Sequence, residues 1–429
     1  MVIKLKRLYL SAAFLMVVLC PAFLGASEFP TYQKYTGLIK PGIVITKENW
    51  DHYLPELQKL TSPSRLKWYS MGVKGGYITI PIVETTYVPL SKSQLEATRK
   101  YGGKCRVGAD NQLYDWTAGV PFPEPRNGVE LYWNVCPVLG RSNSHDEEYF
   151  PAFFGMFQGV KYEKHFTWDY YMRKYRGRVD FPPLGDLPEF KEKGICFKEA
   201  LVITTPNEVR GFMQLRSRYW DIDKADDSFA YIPALRRLRR LTGSDLTDPL
   251  LGSDITPDDF ETMRQKIHAK MKFRVVAHQD MLVPRTYSKE LPPPYDYTKT
   301  GPFYSANWEI RPMYQLEIIM NDPNYAYSKR VLYIDGVPLD QGGSFLLFAG
   351  DTYDQKGRLW KCTDHAAFYA DAQLKEGLRS FMRHWIINCQ TDHITVMPTP
   401  PGYSSENFNK IYPLKDENFT IKGLLKKAQ

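Results

Sequence analysis

The sequence predicts a mainly β protein with some α: a strongly curved antiparallel sheet, an incomplete barrel, with helices on its concave side. Three observations carry this. From Ile195 onward, segment after segment alternates apolar and polar residues, as at Tyr314, Leu316, Ile318 and Met320 against Gln315 and Glu317, the pattern of strands with one buried and one solvated face. A flat sheet of so many strands would leave long exposed edges, so the sheet has to curl. Stretches with helical spacing, such as Trp50, Tyr53, Leu54, Leu57 and Leu60, carry an apolar stripe that must face something, and the hollow of the sheet offers it a surface.

The N-terminus sets the compartment. Lys4, Lys6 and Arg7 precede an apolar run from Leu8 to Leu19 broken only by Ser11, and small residues follow at Gly25, Ala26 and Ser27. Residues 1–26 read as a secretory signal peptide cut after Ala26, in a run too short for a membrane span. Val17-Val-Leu-Cys20 lacks the small residue expected before a lipidated cysteine. Residues 27–429 read as a single domain, since no low-complexity linker or internal repeat divides them. The formal charge of +8 loses Lys4, Lys6 and Arg7 with the leader, leaving a mildly basic surface that permits an anionic lipid or acidic partner without requiring one. Twenty-nine Tyr and 23 Phe argue against disorder.

Within the mature chain, Gly37 to Ile45 reads as an opening strand. Lys47 to Leu60, after Thr46, reads as a helix with a kink or break at Pro55. Ser91-Lys-Ser-Gln94 caps a short helix that Gly102-Gly103 would end. The prolines of Asp115 to Pro123 argue for a loop or sheet edge, and Gly128 to Val135 reads as a strand. Glu148 to Phe157 fits either a buried strand or a short helix. Pro182 to Pro188 and Pro292-Pro-Pro294 are stiff loops. Strands are expected over Ile195 to Thr204, Val209 to Trp220, His268 to His278, Trp308 to Met320 and Arg330 to Asp335. On the second of these Met213, Leu215 and Tyr219 oppose Gln214, Arg216 and Arg218. Phe345 to Tyr353 and Leu359 to Cys362 form a hairpin around Asp354-Gln-Lys-Gly357. Leu374, Leu378, Phe381 and Met382 have helical spacing within Asp371 to Trp385, and strand returns from His384 to Met397.

The centre of the reading is Arg218 to Phe260. An aromatic strand end leads through the acidic turn Asp221 to Asp227 to Ala230-Tyr-Ile-Pro, then to Arg236-Arg-Leu-Arg-Arg240, and finally to Gly252-Ser-Asp-Ile-Thr-Pro-Asp-Asp-Phe260. There Thr256 caps a helical turn, Pro257 takes its first position and Asp259 completes the box. The arginines read first as partners of Asp221, Asp223, Asp226, Asp227, Asp245, Asp248 or Asp254. The sharper reading places one or two of them at a cavity mouth, where a guanidinium fork suits phosphate or carboxylate. Four arginines within five residues of an exported chain are a weak nucleic-acid signal, and no nucleic-acid partner is expected.

The chain shows no His-Glu-x-x-His, Gly-x-Ser-x-Gly or phosphate-binding Gly-x-x-x-x-Gly-Lys, so no catalytic residue, metal or cofactor is assigned. Cys362-x-x-His365 and Cys389-x-x-x-His393 have spacings that metals use, but a disulfide or plain core cysteines fit an oxidising compartment better. Of Cys105, Cys136, Cys196, Cys362 and Cys389, the pair Cys362 and Cys389 is weakly preferred for a bridge.

Tyr231-Ile-Pro-Ala-Leu-Arg-Arg-Leu-Arg-Arg240 with Gly252-Ser-Asp-Ile-Thr-Pro-Asp-Asp259 resembles the signature of domain-of-unknown-function family 1329, which is similar to outer-membrane lipoprotein-sorting proteins. Thr117-Ala-Gly-Val-Pro-Phe-Pro123, Trp133-Asn134, Arg330-Val-Leu-Tyr-Ile-Asp335, Tyr353-Asp-Gln-Lys-Gly-Arg-Leu-Trp360 and Asp392-His-Ile-Thr-Val-Met397 follow in order. The resemblance implies a LolA/LolB-like half-barrel in the periplasm of a Gram-negative bacterium. It implies a non-enzymatic carrier for a lipid, lipoprotein or other hydrophobic molecule, working with an RND-type transporter or an outer-membrane protein. The region from His365 to Trp385 departs from the family pattern. Trp220, Tyr231, Arg237, Arg239, Trp308 and Tyr314 are the candidates for the cavity or its rim. The alternative is a structural accessory subunit of an envelope complex, with a filled core and no ligand.

Overall fold

The computed structural model describes residues 28–85, 87, 90–136, 146–180, 182–260, 265–284, 296–303, 305–368, 381–397 and 414–428. The leader, the triple proline at 292–294 and residues 371–380 of the expected helix lie outside the described residues.

Two short paired strands, β1 (Val44–Ile45) and β2 (Ile80–Pro81), flank α1 (Trp50–Leu60) and α2 (Pro63–Lys74). Next come α3 (Lys92–Tyr101), the ribbon of β3 (Arg106–Val107) and β4 (Leu113–Tyr114), and α4 (Gly128–Val135). The main sheet begins with β5 (Glu147–Gln158) and β6 (Lys161–Lys174). After the short α5 (Pro188–Lys193) it continues through β7 (Ile195–Thr205), β8 (Met213–Tyr219), β9 (Asp227–Ile232), β10 (Arg237–Leu241) and β11 (Lys272–Pro284). The turn α6 (Tyr297–Thr300) precedes β12 (Trp308–Ile319), β13 (Tyr327–Asp335), β14 (Leu347–Asp354), β15 (Leu359–Phe368), β16 (Phe381–Asn388) and β17 (His393–Met397), and α7 (Ile421–Ala428) ends the chain. The thirteen strands are ordered β10-β9-β8-β7-β6-β5-β17-β16-β15-β14-β13-β12-β11. Every pairing is antiparallel, and the two edges, β10 and β11, are not joined to each other.

Two adjacent residues show that the sheet is rolled. Asp258 lies 3.9 Å from Arg216 on β8, and Asp259 lies 2.8 Å from Arg330 on β13. Those strands are eight spacings apart in the sheet order, which in a flat sheet would be roughly 38 Å. Neighbouring aspartates reach both only because β8 and β13 face each other across a hollow. The face bearing Arg216, Arg330, Leu332 and Ile334 is therefore concave.

The alternation of strand side chains fixes the other face. Arg65 of α2 bonds Asp364 at 2.6 Å, pairs with Asp351 at 3.3 Å and sits 4.3 Å above the ring of Tyr333. Asp364 and Tyr333 belong to the register opposite Lys361 and Arg330, so α2 packs on the convex side. On the concave side lies α4, whose Tyr132 meets Phe273 of β11 at 4.8 Å and whose Trp133 meets Trp220 at 5.9 Å. Helices therefore cover both faces.

Strands lie where alternation placed them for β7 and β12 to β15, β8 begins at Met213 and not at Val209, and Glu148 to Phe157 resolves as strand β5. Ser91 caps α3 by accepting from the Gln94 amide at 3.1 Å. α1 continues through Pro55 and does not end there. Four expectations are corrected. Gly37 to Ile45 supplies only the two residues of β1. The strand expected from His268 starts at Lys272. Phe381 and Met382 are strand, because they pair in register with Phe368 and Ala367 of β15; the ladder overrides the local period. Gly128 to Val135 is the helix α4. Asn127 accepts from the Glu130 amide at 3.0 Å, and Glu130 accepts from the Arg126 amide at 2.7 Å, a reciprocal cap that starts a helix. Gly128 permits that start, since a methyl group there would sit 2.7 Å from the backbone of Phe273.

Candidate functional site

The hollow is filled by Leu250 to Phe260, which contributes no strand to the sheet. Its shape is locally determined. Leu250–Gly252 makes a tight turn, with Leu251 at φ 50° and Gly252 at φ 79°. Ser253 Oγ accepts from the Ile255 amide at 3.2 Å. Thr256 Oγ1 accepts from the Asp259 amide at 3.1 Å, and the Phe260 amide donates to the Thr256 carbonyl at 3.1 Å. The cap read from Thr256-Pro-Asp-Asp259 is formed, and it aims both aspartates at the sheet.

Three carboxylates tie this plug to distant strands. Asp254 accepts from Thr395 Oγ1 of β17 at 2.9 Å and lies 2.6 Å from His393 Nδ1, while His393 Nε2 faces Glu163 at 3.2 Å. Asp258 faces Arg216, which also donates to the Pro257 carbonyl at 3.1 Å and pairs with Glu199 at 3.1 Å. Asp259 accepts from Arg330 at 2.8 Å, Lys361 Nζ at 2.6 Å and Tyr327 OH at 2.7 Å. Lys361 also donates to the Asp254 carbonyl at 2.9 Å and to Tyr327 OH at 2.9 Å. All of these cations but His393 are buried.

The electrostatics follow from that geometry. Burial opposes the charge of Asp259, but Lys361 and Arg330 outweigh it and hold the carboxyl well below the usual range. For Asp258 burial wins over Arg216, Arg218 and Arg330, and its carboxyl is pushed up. The hydrogen bond to Asp254 raises His393, against burial and with help from Glu163.

Around these pairs the wall is apolar and aromatic. Trp168 packs at a tilt against Phe154 at 4.4 Å and meets Phe260 edge-on at 5.4 Å. A cavity of about 30 Å³ remains between Trp168, Tyr170, Leu201, Ile255 and Phe260, with Arg216 and Glu199 at its polar end. It has room for a water or two and none for an acyl chain. Among the described residues no group of His, Cys, Asp and Glu side chains is arranged to hold a metal. Cys362 and Cys389 come together as hydrogen-bonded free thiols on the convex face.

The six residues singled out from sequence are not brought together, and none lines this cavity. Trp220 is stacked on Trp116 at 5.6 Å beneath the guanidinium of Arg176 at 3.6 Å. Tyr231 is half-buried on β9. Arg237 and Arg239 are exposed on the edge strand β10, where Arg239 pairs with Asp245 at 2.6 Å and its neighbour Arg240 with Asp227 at 2.8 Å, as the ion-pair reading expects. Trp308 is buried edge-on to Tyr69 at 4.7 Å, and Tyr314 lies against His278 at 4.2 Å and Phe29 at 5.1 Å. The side chains that meet the aspartates of the plug include Arg216, Arg330, Lys361 and His393. Alternation separated Arg216 and Arg218 from the apolar residues of β8, but that polar face turns inward and both arginines are buried.

An open, rolled antiparallel sheet whose hollow is closed by an ion-paired plug is a half-barrel with an internal site. Its sequence places it further. The chain belongs to the family described as protein of unknown function DUF1329, whose profile matches residues 44–424. It is similar to an uncharacterized protein of Pseudomonas aeruginosa, 23% identical over 350 residues that cover 78% of this chain and 71% of that protein. Among solved structures it is similar to a DUF1329 family protein from Desulfovibrio piger, with TM-score 0.44 and 16% identity over 66% of this chain and 93% of that one. It is also similar to a LolA superfamily protein from Nitrosomonas europaea, with TM-score 0.38 and 14% identity over 68% and 98% of the two chains.

Proposed function

We propose that this protein is a non-enzymatic periplasmic carrier or chaperone that holds a lipid, a lipoprotein acyl chain or another hydrophobic molecule in the hollow of its half-barrel. An RND-type transporter or an outer-membrane protein is the partner that would load or unload it. One observation carries the reading: the hollow has an aromatic wall, and what fills it is a segment outside the sheet ladder. Every described hydrogen bond between Leu250–Phe260 and the strands uses a side chain, as with Thr395, Lys361, Arg216, Arg330 and Lys164. The plug can therefore leave without unpairing a strand, and it would bare Trp168, Tyr170 and Leu201 to a ligand. Among the described residues no helix is long and apolar enough to cross a membrane.

The accessory-subunit reading draws on a different observation: the cavity beside the plug holds only about 30 Å³. Native mass spectrometry of the mature protein purified from its source, with organic extraction of bound material, separates the two. A stoichiometric hydrophobe is the expected result. A clean apo mass, unchanged after incubation with lipid extract, would refute the carrier and favour the accessory subunit.

A further inference from the structure

We infer that the hollow takes an amphiphile with an anionic phosphate or carboxylate head, and that Asp258 and Asp259 occupy the head-group position while the hollow is closed. This rests on the carrier reading and narrows its ligand.

The asymmetry of the buried charges points there. Arg216, Arg330 and Lys361 stand on three strands of the sheet, whereas Asp254, Asp258 and Asp259 all belong to the eleven-residue plug. When the plug leaves, its carboxylates leave together and the cations stay. Arg216 keeps Glu199 of β7 at 3.1 Å. Arg330 and Lys361 lose Asp259, the carboxylate that both share at 2.8 and 2.6 Å; Arg330 keeps Thr352 Oγ1 at 3.4 Å and Lys361 keeps Tyr327 OH at 2.9 Å. Two neighbouring cations that share one carboxylate form a site for a planar or tetrahedral oxyanion, since a guanidinium presents paired donors and an ammonium adds a point charge.

A plug needed only to fill space would gain little from these charges, because buried ion pairs are often no more stabilising than well-packed apolar residues of the same size. The cavity next to them supplies the second half of the ligand. It is lined by Trp168, Tyr170, Leu201 and Phe260 together with Arg216, and Phe260 directly follows Asp259 in the chain, so an amphiphile whose head took the place of Asp259 would lay its tail where Phe260 sits.

The test titrates the mature full-length chain with dodecyl phosphate, dodecyl maltoside and inorganic phosphate, each below any micellar concentration, by calorimetry. Dodecyl phosphate is expected to bind at least tenfold more tightly than dodecyl maltoside, and inorganic phosphate to bind weakly or not at all. Asp259→Asn removes the internal competitor and is expected to tighten dodecyl phosphate binding by about a hundredfold or more, in step with the more frequent opening of the plug. Adding Lys361→Met to Asp259→Asn, which leaves Arg330 as the remaining cation of the two, is expected to reverse that gain without changing the maltoside. Maltoside binding as tightly as the phosphate, or Lys361→Met leaving the preference intact, would overturn the inference while the carrier reading stands. Inorganic phosphate binding as well as dodecyl phosphate would also overturn it, by showing an anion site without a tail site. No binding of either detergent would remove the carrier reading as well. The comparison of ligands on the unaltered protein decides the matter even if a variant fails to fold.

Discussion

Replacing Asp259 with Asn tests whether the plug is held by charge. The side chain keeps its size, but Arg330 and Lys361, both buried, lose the carboxylate they share at 2.8 and 2.6 Å. Removing one partner of a buried pair typically costs about 3–5 kcal/mol, because the other charge stays desolvated. If that cost falls on the plug alone, its local opening becomes more frequent by roughly two to three and a half orders of magnitude, at about 1.4 kcal/mol per tenfold. Native-state hydrogen exchange reads this directly. The Asp258 amide, bonded to the Leu246 carbonyl at 3.1 Å, and the Phe260 amide, bonded to the Thr256 carbonyl at 3.1 Å, should exchange faster by that factor. Central strand amides of β6 and β7 should be slowed or hastened little, since no ladder bond involves the plug. Equal acceleration across plug and strands would show that the segment opens only with the whole domain, and the latch would be refuted. Unchanged plug amides would show that the pairs contribute nothing net. The sign with pH is fixed too. The Asp259 carboxyl is depressed, so its contribution is present above its ordinary range and fades only in strong acid.

His393 is raised from about 6.5 by its bond to Asp254, with Glu163 on its other nitrogen; its contribution is therefore complete below about 6.5 and lost as pH rises through the folded-state value. Plug exchange rates should climb over that interval in the unaltered chain and lose the dependence in His393→Gln. Gly128→Ala places a methyl group 2.7 Å from the Phe273 backbone, and should cost about 1–3 kcal/mol in denaturant unfolding as α4 is forced off β11. Trp168→Ala empties a buried ring packed at 4.4 Å on Phe154, and should cost about 3–5 kcal/mol; a cost under 1 kcal/mol would mean that the wall of the hollow is not well packed.

Much of the fold is legible along the chain because a strand reports its own period. Trp308 to Ile319 alternates whether or not its neighbours are known, and the cap at Thr256 is written within four residues. What the chain does not report is which face of a strand turns inward once the sheet rolls. On β8 the period separates Met213 and Leu215 from Arg216 and Arg218 correctly, yet water is the obvious destination for two arginines, and only the roll of the sheet brings Arg216 to Asp258, 42 residues along the chain. Asp259 meets Arg330 and Lys361 at separations of 71 and 102 residues, beyond any local pattern. Arg237 and Arg239 are conspicuous in sequence because they are clustered, and exposed for the same reason: four like charges in five residues cannot all be buried and paired at once. Arg216, Arg330 and Lys361 stand on three separate strands, which is what burial in a shared ionic site requires. In a rolled sheet, then, isolated cations in the polar register of central strands, paired with acids in one capped segment between strands, are a better pointer to the interior than a basic cluster at an edge.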